Sequence, residues 1–506
     1  YFILKSIIIN NLYGVDIMEE ATEICKLRLF LKLVAQIGRF ADIEPLPDID
    51  FNIRAGNTLV GFATYAEAER AVSSKLDFDN TLERIKRKAQ DVERSFASFR
   101  AMQTAIKIDP EDMAAMKAQV YEQLTDLNAI LDGYLAAEYG IDRNNIKVED
   151  AYAREFARWK QTHQPFHWFV EFYGIMQRGG FDVIIGNPPY VEYSKVRNTY
   201  KIQSEQYRSE SASNLYAFCI ERSTVLINSS GRIGMIIPAG LLGLDEAVDL
   251  RETMIHRLDT HWFSTFAIRP SKLFDGVDQR LCIHIASASG TETIMFTTTY
   301  HHWYAEERPA LFALLQYYPT EIYPGLNRIP QVGSVEAAGV LAKLRLQQDM
   351  CIQHYYAPKH TGFLMHYHRS PRYWIRGMDF EQYFKSQTRE RSIHHFRDIY
   401  FRSEAEGKSI GITLNTSLFF FWFISIGNGR NITGTDVEEF PVGILSQSSC
   451  KELISLFDTL MKDYKQNSVI RVRQDCAFQE FRPSRSKPII DEIDRVLARH
   501  YGFTDE

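Results

Sequence analysis

The sequence predicts an α/β domain that is interrupted by a helical insertion and followed by a large α+β region. Three observations predict it. Phe181-Asp-Val-Ile-Ile-Gly186 is a short apolar run of the kind found in parallel strands, and it stops at two prolines. Residues 63–165 change to charged sequence of helical period. Residues 291–506 change again, to short strands and loops rich in aromatic residues.

Four segments follow in order. Segment 1–62 reads as the first part of the α/β domain. The chain starts at Tyr1 in what reads as a strand, and Leu12-Tyr-Gly-Val-Asp16 reads as a strand end. Ala21, Ile24, Leu27, Leu31 and Val34 then share one face of a helix, and Phe51 to Asn57 give a further short strand and turn. Segment 63–165 reads as an antiparallel helical arm. Leu82, Ile85, Ala89, Val92, Phe96 and Phe99 step by three and four. Asp109 before Pro110 is an N-cap with proline at the first helical position, and Met113, Met116, Val120, Leu127, Leu131 and Tyr134 carry the pattern on. Its charged face reads first as solvated and second as a DNA or partner contact.

Segment 166–290 returns to α/β. It has a strand at 181–186, a helix at 214–227, a turn at Asn228-Ser-Ser-Gly231, and strands at Arg232–Ile237 and Arg280–Ala286. Segment 291–506 reads as a separate α+β domain. Between Cys351 and Ile410 lie ten Lys/Arg against six Asp/Glu, with six of the fourteen histidines. Arg369, Arg372 and Arg376 make this stretch the candidate nucleic-acid surface.

Composition bounds the function. The 506 residues suggest about three domains. A net charge of −6 excludes a uniformly basic nucleic-acid coat, so such a surface must be local. The six cysteines include no Cys-x-x-Cys pair, so no zinc site or disulfide scaffold is expected; reduced thiols fit a cytoplasmic protein. Leu418–Ile426 is apolar but too short to span a bilayer.

The chemistry centres on Asn187-Pro188-Pro189-Tyr190. In open α/β sheets, ligands bind at the carboxyl ends of strands. The prolines stiffen the loop and donate no N–H, leaving carbonyls free to accept. The Asn187 side chain adds an acceptor, and Tyr190 offers a flat face for stacking. Two rigid acceptors suit a planar –NH2 group. They favour its more nucleophilic geometry and stabilise the positive charge that develops as its nitrogen attacks a methyl-sulfonium. An adenine inside a duplex is out of reach, so the base must be flipped.

At this point the chain resembles the gamma-class N6-adenine DNA methyltransferases of the restriction–modification, type IIG-like kind. The resemblance spans roughly residues 1–290. It rests on Gly179-Gly-Phe-Asp-Val-Ile-Ile-Gly-Asn-Pro-Pro-Tyr190, on Asn214-Leu-Tyr-Ala-Phe-Cys-Ile-Glu221 and on Gly231-Arg-Ile-Gly-Met-Ile-Ile-Pro238. Phe421-Trp-Phe with Asn428-Gly-Arg-Asn431, and Phe481 to Pro488, resemble the same family's target-recognition region.

The resemblance implies a Rossmann-like fold that uses S-adenosyl-L-methionine and acts on double-stranded DNA with a flipped adenine. It implies that Asp16 holds the cofactor's ribose hydroxyls. Asn57 stands where many relatives carry an aspartate that accepts from the cofactor's adenine amino group. Phe218 would pack on that adenine, and Phe274 would be a second aromatic around the flipped base. The Gly-rich cofactor loop expected before Asp16 is missing from the sequence. The expectation is an internal fragment whose first strand lies upstream, with a nuclease or other subunit possible there. Two alternatives stay open: a glutamine-N5 protein methyltransferase, which poses the same –NH2 problem, and an inactive DNA-binding remnant.

Overall fold

The computed structural model describes residues 1–39, 46–73, 80–104, 109–203, 206–288, 290, 292–358, 361–371, 374–386 and 396–504. They form two compact units. The first takes residues 1–235, 252–258 and 287–290; the second takes 236–251, 259–286 and 291–506.

The first unit opens with a helix, Phe2–Asn11, where the sequence suggested a strand. Two features favour the helix. Ile8 and Ile9 are buried, Ile8 in a small core with Leu33, Ile49 and Ile53. Buried Asn52 also donates through Nδ2 to the carbonyls of Ile9 and Leu12, at 3.0 Å each. That supplies partners at the end where a helix leaves carbonyls unmatched.

Strand β1 (Gly14–Asp16) then pairs in parallel with β2 (Ile53–Ala55), with Asp16 opposite Ala55. The helix Glu19–Val34 connects them in sequence. Its apolar face forms as expected but faces solvent: Ile24, Leu27 and Leu31 are 58%, 57% and 60% exposed.

The helical arm consists of Thr81–Gln103 and Pro110–Glu138. The Asp109 side chain accepts from the Glu111 N–H at 2.9 Å, and Pro110 occupies the first turn. Ile85, Ala89, Val92, Phe96 and Phe99 meet Val120, Leu124, Leu127 and Leu131 in one core that also takes in Phe51, Val60, Phe62 and Phe169. The arm therefore shares a core with the α/β part. A buried polar link reinforces it: Lys160 donates to Asp132 at 2.6 Å, and Asp132 faces His167 Nε2 at 3.1 Å. The other ring nitrogen of His167 accepts the Phe62 N–H at 3.1 Å, which leaves Nε2 as the donor to Asp132.

Strand β3 (Phe181–Gly186) pairs in parallel with β4 (Ile227–Pro238), Gly186 opposite Met235. The segment 228–231, expected as a turn, is the beginning of β4, with a register irregularity between Phe181 and Val183. β3 was expected to be buried. Instead Val183 and Ile185 are 58% and 81% exposed, because among the described residues β4 is the strand beside it and the other edge is open.

In the second unit, β5 (Thr260–Phe266), β6 (Leu281–Ser287), β7 (Ile294–Thr297) and β8 (Tyr318–Thr320) lie in the order β6-β5-β7-β8. β5 and β7 are parallel, and β7 and β8 antiparallel, so the sheet is mixed. An antiparallel trio has β9 (Phe363–His368) between β10 (Gly377–Met378) and β12 (Phe396–Phe401). A second has β14 (Cys476–Glu480) between β11 (Phe384–Ser386) and β13 (Val469–Arg473). The apolar run at 418–426 is the helix Ser417–Ile426, whose Phe419, Trp422, Phe423 and Ile426 are core residues. No single described helix is long and apolar enough to cross a membrane.

One ion pair network ties this unit together. Fully buried Arg328 donates to Asp436 at 2.6 Å and to Asp245 at 2.8 Å, and Thr435 Oγ1 donates to the other Asp245 oxygen at 2.9 Å. Burial raises the Asp245 carboxyl, but the Arg328 hydrogen bonds outweigh it and hold it below its ordinary value of 3.8. A depressed carboxyl contributes stability above its unfolded value, and that stability is lost as pH falls through the native value. Arg328→Ala should cost about 3–5 kcal/mol, since two carboxylates lose their cation. Urea unfolding should show a lower midpoint at unchanged slope, and the variant's remaining stability should fall less than the parent's on acidification below pH ~4.

Candidate active site

The first unit presents three strand ends. β1 ends at Asp16, β2 ends two residues before Asn57, and β3 ends directly before Asn187. The pairing of Asp16 with Ala55 and the 2.8 Å bond from Gly56 N–H to the Asp16 carbonyl hold the first two ends side by side.

Asp16 is exposed, and its Oδ1 accepts from the Met18 N–H at 2.8 Å. This turn positions the carboxylate at the head of the following helix and leaves Oδ2 for a ligand hydroxyl. Asn57 is buried. Its Oδ1 accepts from Leu59 N–H at 3.1 Å, while its Nδ2 has no partner among the described residues. The sequence suggested that Asn57 accepts from an amino group. With one lone pair of its oxygen given to Leu59, Asn57 keeps a second acceptor site for an amino group and an unused N–H donor for a ring nitrogen.

Phe218 does not present a face. It is 0% exposed, in a cluster with Leu59, Ile202, Tyr207 and Leu215, with the rings of Tyr193 and Tyr207 edge-on at 5.5 and 5.2 Å. It supports the segment carrying Leu59 from within the core. The same region holds a buried cation that the sequence reading missed. Arg222 donates to Tyr207 Oη at 2.6 Å and pairs with Glu67 at 3.2 Å. Nothing local in the sequence marks it, because Glu67 lies 155 residues away.

In the loop after β3, Asn187 and Pro189 are exposed, and Pro188 and Tyr190 half-buried. Tyr190 Oη donates to Asn187 Oδ1 at 2.5 Å. Burial pushes the Tyr190 phenol up to about 12, so it remains the donor across the neutral range. The loop thus carries a carboxamide whose oxygen keeps one lone pair free, next to an aromatic ring.

The second unit holds the remaining predicted residues. Phe274 is half-buried in the loop before β6, where its carbonyl accepts from Val277 N–H. Arg369 is half-buried and its Nε has no partner among the described residues. Arg372 lies outside the described residues. Arg376 is not the surface cation expected. Its guanidinium lies 4.8 Å over the Phe481 ring and 5.7 Å over Trp374, and burial lowers it to about 10. Trp374, two residues before it, and Phe481, far along the chain, decide this. No group of His, Cys, Asp and Glu among the described residues could hold a metal ion.

The first unit thus has an exposed carboxamide directly after one parallel strand, and a carboxylate and a buried carboxamide after a separate pair of parallel strands. Residues 10–274, just over half of the chain, match the Eco57I restriction-modification methylase family, and the chain belongs to that family. It is 27% identical over 268 residues to a putative type II restriction enzyme and methyltransferase of Methanocaldococcus jannaschii, a match covering 46% of this chain. The match spans 22% of that relative's length. Among solved structures, the type IIL restriction-modification enzyme MmeI in complex with DNA is 11% identical, covering 88% of this chain and 74% of its own, with a TM-score of 0.39. The DrdV–DNA complex is 14% identical, covering 29% and 18%, with a TM-score of 0.26. Likenesses this slight say nothing further about the fold.

Asn57→Ala strips the Leu59 N–H of its acceptor inside the core, and should cost about 1–3 kcal/mol in a denaturant titration. An unchanged midpoint would mean the bond is not made.

Proposed function

We propose that this chain carries the methyl-transfer machinery of a DNA methyltransferase that acts on adenine N6 and uses S-adenosyl-L-methionine. The observation that carries the reading is Asn187: an exposed carboxamide at the carboxyl end of a parallel strand, on a loop stiffened by two prolines and flanked by Tyr190. Membership of a restriction–modification methylase family supports DNA as the substrate.

The residues present fit the nucleoside part of the cofactor. Asp16 would hold the ribose hydroxyls, and the unpartnered Nδ2 of Asn57 would donate to the cofactor's adenine. When bound, the cofactor supplies an electrophilic methyl group. The chain's own residues do the rest. Asn187 Oδ1 and a loop carbonyl accept the two N–H bonds of the target amino group, which localises its lone pair and stabilises the positive charge developing on nitrogen. The Tyr190 ring stacks against the extrahelical base, replacing what the duplex stack provided.

The open edge of β3 bears on the cofactor side of the site. Exposed Val183 and Ile185, and the uncovered face Ile24, Leu27 and Leu31, are what a further parallel strand and its connection would bury. In this reading that strand, with a Gly-rich cofactor loop, comes from outside this chain. A longer protein that includes it should bind S-adenosyl-L-methionine in equilibrium dialysis, and Ile185→Asp should abolish that binding. Equal binding with and without the added strand would defeat the assignment.

In the longer protein, Asn187→Ala should lower kcat by about 100-fold or more. Duplex affinity should be unaffected. Tyr190→Phe, which frees Asn187 Oδ1, should keep the rate within about threefold, whereas Tyr190→Ala should lose roughly the 1–3 kcal/mol of a base–aromatic stack. Single-turnover transfer of labelled methyl to an adenine-containing duplex reads all three. Undiminished methylation by Asn187→Ala would remove the mechanism.

A further inference from the structure

We infer that the Gly427–Asn431 loop, with Arg280 and Arg369, forms a binding site for a phosphate group in the second unit, and that its occupant is a phosphodiester of the DNA backbone. The choice of DNA as the source rests on the reading above.

Arg280 immediately precedes β6. Its guanidinium lies 4.7 Å over the Tyr300 ring, and its Nη1 is buried without a partner among the described residues. The loop is shaped around that nitrogen. Gly429 has φ +66°, where other residues are strained, and a Cβ there would stand 2.3 Å from Arg280 Nη1 and push the guanidinium aside. Asn428 Oδ1 accepts from the N–H groups of Arg430 at 2.7 Å and Asn431 at 3.0 Å, which fixes the turn that carries exposed Arg430. The far side of the loop is pinned to the end of β9. Ile432 N–H donates to the Arg369 carbonyl at 2.7 Å, and Ser370 Oγ donates to Asn431 Oδ1 at 2.6 Å. Arg369 Nε is a second buried nitrogen without a partner.

One short loop thus connects three arginines, and none of them makes an ion pair with a described residue. Burial pulls Arg280 below its ordinary value, Tyr300 opposes this, and the charge of Arg430 adds to it. A buried guanidinium nitrogen of Arg280 that keeps an unused N–H donor, with the charge of Arg430 acting on it, is costly without an anion. The guanidinium fork matches phosphate oxygens, and the aromatic platform under Arg280 holds that fork flat.

The experiment uses the full chain with a short DNA duplex, comparing the parent with Arg430→Gln and Arg280→Gln across a salt series. Each variant should bind about tenfold more weakly, with the salt slope reduced by about 0.9. Replacing single phosphates of the duplex by neutral methylphosphonates should reveal one position that weakens the parent but not the variants. Unchanged affinity and slope in Arg430→Gln, which is exposed and should fold normally, would overturn the site even if Arg280→Gln does not fold. If the parent binds no duplex, the DNA reading fails separately, and inorganic phosphate becomes the probe. Phosphate that raises the melting temperature of the parent but not of Arg430→Gln would keep the anion site with a free phosphate as its source. An equal rise in both would end it.

Discussion

Two parallel strands can meet only where their flanking connections leave room, and in the first unit that condition fixes Asn187. Gly180, directly before β3, has φ +116°, and a Cβ there would fall 2.3 Å from the carbonyl of Leu226, the last residue of the helix Leu215–Leu226 that leads into β4. Any other residue would push β3 away from the start of β4. Asn228 Nδ2 then donates to Asp182 Oδ1 at 2.7 Å, which secures the register at the amino end. At the other end Gly186 packs against Met235, where a Cβ would stand 3.0 Å from its sulfur. The pair is therefore set at both ends by glycines, and Asn187 stands one residue beyond. Its place depends on backbone packing rather than on its own contacts.

The helical arm reaches the same unit by a different route. Its core is continuous with Phe51, Val60, Phe62 and Phe169, so the residues around Asn57 are held by side chains from both. The Lys160–Asp132–His167 chain ends on the Phe62 N–H, a few residues past Asn57. Buried Asp132 keeps its charge partnered on both oxygens, a requirement for a carboxylate out of water. The arm thus steadies the segment that presents Asn57, whatever else its solvated face touches.

Features written in adjacent residues were legible in the sequence. The Asp109–Pro110 cap, the Asn187 loop after an apolar strand and the end of β1 at Asp16 each rest on neighbours a few positions away. Features set by distant partners were not. Ile7 to Ile9 have strand propensity, yet Asn52 and Leu33 make them helical. Phe218 and Arg376 have the chemistry of surface contacts, but Tyr193 and Tyr207 enclose the first, and Phe481 lies against the second. A pattern of apolar residues also says which face of an element seeks cover without saying what provides it. That is why β3 and the helix Glu19–Val34 have the right periodicity and still face solvent.

That uncovered surface has an energetic consequence for the site. Burying a large aliphatic side chain is worth about 1.5–3 kcal/mol, so five exposed residues of this kind forgo a stabilisation comparable with that of a small domain. The loss falls unevenly. The Asn187 loop follows a strand secured on its β4 side by backbone and glycine packing, whereas Asp16 and Asn57 follow a two-stranded pair of three residues each. A two-stranded sheet is marginal without further strands or packing. Any element that covers Ile24, Leu27 and Leu31 and pairs with β3 would stabilise Asp16 and Asn57 far more than it would Asn187. The Asn187 loop can thereby be in place before the ends that carry Asp16 and Asn57 are secured.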